Sequence, residues 1–196
     1  MKILFLIFSY LLGAIPIGYV FYWITDKKDI RHFGSGSTGA TNLFRAKGWK
    51  LAFPALAIDI FKGALPVYLA LKLFSDLRMA VLAGFLAVLG HCFPVYLKFR
   101  GGKGVATTTG VFIILAFKPC LISVAIFVTI VAISRYVSLG SLLSMLSYPF
   151  LIMIFNKGEK ILFLSIILFI LIAAKHSGNI KRLIQGTERK LGEKVK

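Results

Sequence analysis

The chain has 196 residues, 58% of them apolar, and carries 24 Lys and Arg against 7 Asp and Glu. With 16% charged residues and a mean hydropathy of +0.86, it lacks the charged surface of about 25% typical of a soluble domain. It reads as a membrane protein, and at ~20 apolar residues per spanning helix it has no room for a separate soluble catalytic domain.

Seven apolar runs follow in chain order: Ile3 to Thr25, Leu51 to Phe74, Met79 to Leu97, Gly104 to Phe117, Cys120 to Ser134, Val137 to Phe155 and Ile161 to Ala174. They predict an all-α membrane protein of seven transmembrane helices. The first run is longer than a signal-peptide core and lacks a small-x-small cleavage site, so it reads as an uncleaved span. The fourth, fifth and seventh are short for a ~30 Å hydrocarbon layer and need residues from their flanks or cover from other helices. Trp23 and Trp49 flank the first long loop, at head-group depth. Cys92 and Cys120 lie in or beside apolar segments and read as packing residues, with no disulfide framework or metal spacing.

Orientation follows from the bases. The segments after the first, third, fifth and seventh runs hold seventeen Lys and Arg, among them seven in the tail, against six on the other side. The excess predicts an N-terminus outside and a C-terminus in the cytoplasm. The formal charge of +17 points to anionic head groups and phosphorylated small molecules as partners, not nucleic acid. Four polar, glycine-rich stretches fall on the same basic side: Gly34 to Arg45, Gly90 to Thr109, Arg135 to Ser141 and Lys175 to Glu188. They predict one site open to the cytoplasm.

Gly34, Gly36 and Gly39 match G-x-G-x-x-G, but the dinucleotide fingerprint requires a preceding strand, and an apolar helix precedes it here. The physical content is an anion nest: backbone N–H groups from the glycine turns, hydroxyls from Ser35, Ser37, Thr38 and Thr41, an amide from Asn42 and the guanidinium of Arg45. The Arg100 to Gly104 stretch lacks Walker spacing. It places Gly102, Lys103 and Gly104 at the start of the fourth run, where free N–H groups and a lysine suit an anion.

His91 reads as a hydrogen-bonded packing or interfacial residue. His176, with Lys175, Asn179 and Arg182 as near helical neighbours, is placed to take or give a proton beside an anion. Asp59 and Lys62, spaced i to i+3, read as an ion pair within a span. Of the serines along the sixth run, Ser141, near the cytoplasmic mouth, is singled out as a site residue, most of the others packing by default. Glu188 reads as a solvated tail charge, and the tail from Ile180 to Lys196 as an interfacial helix lying along an anionic leaflet. No nucleophile elbow, H-E-x-x-H or carboxylate pair is present, which argues against a covalent acyl-enzyme or a metal hydrolase. The sequence supplies no ligand set for a metal and calls for no cofactor.

Taken together, GSGSTGATNLFR, GHCFPVYLKFRGGKGVAT, RYVSLGS and KHSGNIKRLIQGTE resemble, in order and over nearly the whole chain, the motifs of the integral-membrane, acyl-phosphate-dependent glycerol-3-phosphate acyltransferases of bacterial phospholipid synthesis. That family usually has Asn where Ser37 stands, and Lys and Arg where Arg100 and Lys175 stand; charge is preserved, and Ser37 keeps a shorter donor. The resemblance implies a single integral-membrane acyltransferase domain over residues 1–196, multi-pass in the cell inner membrane. It implies transfer of an acyl group from acyl phosphate to the sn-1 hydroxyl of glycerol 3-phosphate, giving lysophosphatidic acid and phosphate. By motif position, Ser35, Ser37, Arg45 and Lys103, with the Gly102 and Gly104 backbone, fall on the phosphates. Thr41, Asn42 and Ser141 orient the acceptor or the loop, and Asn179 and His176 sit at the reacting hydroxyl. Either His176 or a substrate phosphate oxygen accepts the proton, and the oligomeric state is left open. The competing reading is a transporter for a phosphorylated metabolite, which shares broken helices and anion-directed helix ends but needs a matching polar set on the outer face.

Overall fold

Proline decides where the first apolar run breaks. Pro16 has no N–H and disfavours helical geometry for the residue before it; Ile15 accordingly adopts φ −59°, ψ 115°. In the computed structural model, which describes residues 1–193, the run is therefore two helices, α1 (Lys2–Ala14) and α2 (Ile17–Asp26), bent by 41°. The expected single span is thus a broken pair. Lys194 and Lys196, counted in the basic excess, lie outside the described residues.

Eight further helices follow: α3 (Ala40–Lys47), α4 (Trp49–Phe74), α5 (Leu77–Cys92), α6 (Val105–Leu115), α7 (Phe117–Ser134), α8 (Val137–Ile154), α9 (Glu159–Lys175) and α10 (Ser177–Ile184), with 3-10 turns at Ile30–His32 and Val95–Leu97. The described residues contain no strand. They fall into two compact units, residues 1–111 and 112–193, divided within α6.

The first unit packs α1 and α4 on α5, with α2 and α3 on α4. Small residues allow the close approach: a Cβ on Gly13 would overlap the Ala87 carbonyl, and one on Gly90 the Tyr10 carbonyl. Backbones that close exchange dispersion contacts that larger side chains would prevent. Beneath the first polar loop, Tyr22, Ile30, Leu43 and Ala55 form a buried cluster with Ile17, Tyr19, Phe21, Ala46 and Leu51 packed on it. In the second unit α8 packs between α7 and α9, and α10 touches α8 and α9. Phe112 stacks on Tyr148 with ring centroids 4.3 Å apart. The α7 surface is mostly outward-facing and apolar, as a lipid-contacting helix requires.

Four segments are long and apolar enough to cross a bilayer: α4, Leu77–Leu97, α7 and α8. Six qualify when the bent pairs α1 with α2 and α9 with α10 each count once. The fourth expected run, Gly104 to Phe117, is only the 11-residue α6. Ala116, at φ −153°, ends it, and Pro119 in the first turn of α7 would clash with the Leu115 carbonyl if the helix continued. The tail also departs from expectation. Helix ends at Ile184, and the following turns fold back, with Leu191 N–H donating to Arg135 O at 2.7 Å and Arg135 Nη2 donating to Leu191 O at 2.8 Å.

Candidate active site

In the first unit the loop Gly34 to Gly39 is built around one side chain. Asn42, fully buried at the first turn of α3, accepts from Ser35 N–H at 2.9 Å through Oδ1. Its Nδ2 donates to the carbonyls of Phe33 and Ser37 at 2.9 Å and of Ile30 at 3.3 Å. With both amide hydrogens engaged, Asn42 orders the loop and is not placed to orient an acceptor. Gly34 and Gly36, at φ 59° and 70°, supply the left-handed conformations that the turn needs. Ser37 Oγ accepts from Gly39 N–H at 3.3 Å, which leaves its own hydrogen to donate. Ser35, Ser37, Thr41 and Arg45 are half-buried along this loop and helix.

Arg31, which the sequence offers only as one base among many, ties this loop to the second polar stretch. It grips Asp29 with Nη2 to Oδ2 at 2.6 Å and donates from Nη1 to Leu97 O at 3.1 Å. The Arg31 hydrogen bonds, outweighing burial, hold the Asp29 carboxyl below its usual range. Beyond Leu97 the chain turns through Lys98 and Phe99, both with positive φ, into Gly101 and Gly102. Those two residues are clamped. A Cβ at Gly101 would overlap the His91 carbonyl and the Pro94 ring, and one at Gly102 the His91 ring. Gly102 N–H donates to His91 O at 3.0 Å. Lys103, half-buried, follows directly, and Gly104 (φ 87°) opens α6. The expected pairing of glycine turn and cation is present, on a fixed backbone.

In the second unit His176 is buried at the 64° elbow between α9 and α10. Its Nδ1 lies 2.8 Å from Ile172 O. A carbonyl only accepts, so Nδ1 carries the hydrogen. Asn179, one turn along, is buried with Nδ2 donating to Glu188 Oε1 at 2.6 Å. Ser141 is buried, with Oγ donating to its own helix at Val137 O, 2.9 Å away.

Glu188 corrects the reading of a solvated tail charge. It is buried, accepting from Ser138 Oγ at 2.8 Å, from Asn179 and from Arg182 Nε at 2.7 Å. Burial alone pushes its carboxyl up, but the three donors outweigh it and hold the group below the ordinary glutamate range. The nine-residue separation from Asn179 gave no periodic signal for this contact. Among the described residues no three His, Cys, Asp or Glu are grouped to hold a metal ion.

A family model described as glycerol-3-phosphate acyltransferase matches residues 3–186. Relatives named glycerol-3-phosphate acyltransferase include one from Thermoanaerobacter sp. (strain X514), 43% identical over 96% of this chain and 95% of the relative, and one from Endomicrobium trichonymphae, 42% identical over 97% and 96%. Two crystal structures of PlsY (YgiH), an integral membrane glycerol 3-phosphate acyltransferase, are also similar, each at 36% identity. The glycerol 3-phosphate form matches with a TM-score of 0.94 over 97% of this chain and 96% of that one, and the lysophosphatidic acid form with 0.89 over 97% and 95%. Apolar helices, glycine-clamped cations and a match running through both units lead to one conclusion: this chain is an integral membrane protein of the glycerol-3-phosphate acyltransferase family.

Proposed function

We propose that this acyltransferase takes its acyl group from acyl phosphate and delivers it to the sn-1 hydroxyl of glycerol 3-phosphate. The observation that carries the reading is the fixed Gly101–Gly102–Lys103 turn, a backbone held rigid from behind so that a lysine stands at a helix start, as a phosphate-bearing substrate requires. The bound ligands named for the PlsY structures, glycerol 3-phosphate and lysophosphatidic acid, support the acceptor and the product.

Ser35, Ser37, Arg45 and Lys103, with the Gly104 backbone, bind the phosphates, and Gly102, its N–H held by His91 O, fixes the turn instead of donating to them. Thr41 and Ser141 orient the acceptor, while Asn42 acts through the loop. The sn-1 oxygen attacks the carbonyl carbon of acyl phosphate, the donors stabilise the oxyanion that develops, and the carbon–oxygen bond to phosphate breaks as inorganic phosphate leaves. The hydroxyl proton passes to His176 Nε2 or to a substrate phosphate oxygen, and Asn179 sits beside the reacting hydroxyl. Phosphate is a good leaving group, so no enzyme nucleophile is needed.

The family match through both units supports one catalytic domain over residues 1–196. The basic excess supports seven spans, with α1 and α2 together as the first, the N-terminus outside, and the polar stretches on the cytoplasmic side of the cell inner membrane. No observation favours transport. Purified protein given glycerol 3-phosphate with either acyl phosphate or acyl-CoA tests the donor: lysophosphatidic acid forms from acyl phosphate, and formation from acyl-CoA alone overturns the proposal.

A further inference from the structure

Three ionisable side chains lie buried inside the first unit and none has a part in the mechanism above: Asp59 and Lys62 on α4 and His91 on α5, with exposures of 2%, 3% and 7%. Ionisable groups inside a membrane helix are costly and are retained where they perform a task. Mutual neutralisation explains part of the cluster, since Lys62 Nζ lies 2.9 Å from Asp59 Oδ1. It does not explain the remaining contacts, which all lead to the two polar stretches of this unit.

At one end, Lys62 Nζ donates to Ile15 O at 2.7 Å, a carbonyl at the Pro16 break. Three residues on, Gly18 in α2 lies under the first loop, so close that a Cβ would overlap Thr38 O. At the other end, His91 Nδ1 stands 3.6 Å from Asp59 Oδ1. The opposite edge of the same ring, Nε2, is the atom that a Cβ on Gly102 would strike, and the His91 carbonyl receives the Gly102 N–H. A single line of contacts therefore runs from the Ile15 carbonyl through the buried Lys62, Asp59 and His91 to Gly102, the residue before Lys103.

We propose that His91, oriented by Asp59, is a positioning residue that fixes the Gly102–Lys103 backbone and so sets the affinity for the phosphorylated acceptor, with Lys62 anchoring the pair to the helix break. The inference rests on the reading of Lys103 as a phosphate ligand. His91 touches no substrate. It acts by filling the space behind Gly102 with its ring, which stands 3.6 Å from the Asp59 carboxylate, as supporting contacts commonly position the groups in front of them.

The test is the calorimetric affinity of the purified, detergent-solubilised protein for glycerol 3-phosphate. His91→Ala and Lys103→Ala each weaken binding about tenfold, and the double variant binds no more weakly than Lys103→Ala alone, because residues acting as one unit are non-additive. His91→Gln, whose longer amide reaches the Nε2 position and refills the space behind Gly102, recovers affinity to within about threefold of wild type. A merely structural His91 would lower the melting temperature without this pattern. Wild-type affinity in His91→Ala, or losses that multiply in the double variant, overturns the proposal. Wild-type affinity in Lys103→Ala instead overturns the assignment of Lys103. Should His91→Ala fail to fold, Asp59→Asn with Lys62→Met removes the orienting carboxylate without leaving an unpaired buried charge; it too binds about tenfold more weakly, and wild-type affinity there overturns the proposal.

Discussion

Asn179 Nδ2 donates to Glu188 Oε1 across 2.6 Å, so a carboxylate beyond the end of α10 sets the orientation of an asparagine within it. Ser138 and Arg182 converge on the same carboxylate. The segment around Glu188 is thereby part of the fold of the second unit and not an appendage.

Removing that carboxylate leaves two buried donors without an acceptor. Glu188→Ala is expected to cost about 1–3 kcal/mol of stability and to lower turnover with it, as checked by melting and activity of the purified variant. The folded-state pKa of Glu188 is depressed, so its stabilisation is complete above the unfolded-chain value of about 4.3 and fades as pH falls through the lower folded value. The gap in melting temperature between wild type and Glu188→Gln should therefore narrow as pH drops below about 4.3. A gap independent of pH would contradict this.

Asn42 holds four backbone groups of the first loop. Asn42→Ala should loosen residues 33–39, seen as faster amide exchange there, and cost about 1–3 kcal/mol. Asn42→Asp keeps the acceptor and loses the donors, so it should not restore protection at these residues. Unchanged exchange in both variants would remove Asn42 as the organiser.

Lys103 and Arg45 are assigned to phosphate. Truncating either to Ala should reduce turnover by about 10²-fold or more while expression and melting stay near wild type. Full turnover in either variant takes that residue out of the site.

Orientation is open to labelling. With Cys92 and Cys120 buried, Ser37→Cys and Lys103→Cys should resist a membrane-impermeant maleimide in intact cells and react in inverted vesicles. Reaction from outside intact cells would reverse the proposed sidedness.

Runs of apolar residues made the helices legible, and the i to i+3 spacing of Asp59 and Lys62 made their ion pair legible, because both are local. The break at Pro16 and the stop at Ala116 also have local causes, yet length counting overrode them, since an apolar run carries no mark of where its axis turns. Ser35, Arg45 and Lys103 stood out because donors and glycines cluster along the chain around them. Glu188, Arg31 and the His91 line did not, since each acts on a carbonyl, amide or ring brought near only by the tertiary fold, where no spacing rule reaches. Asn42 was visible as a polar residue among donors, but its role depended on which carbonyls the loop turned inward.

The brevity of α6 has a consequence for the surrounding lipid. Eleven residues rise about 16 Å, roughly half of a ~30 Å hydrocarbon layer, yet Lys103 precedes one end and the exposed Lys118 follows the other. Thr107, Thr108, Val111 and Phe112 of α6 are buried, Thr107 against Gly63 of α4 and Phe112 against Tyr148 of α8, so protein and not thinned bilayer covers the shortfall. The surrounding lipid is thereby spared the mismatch, and the helix that follows Gly104 keeps its length whatever the thickness of the host membrane.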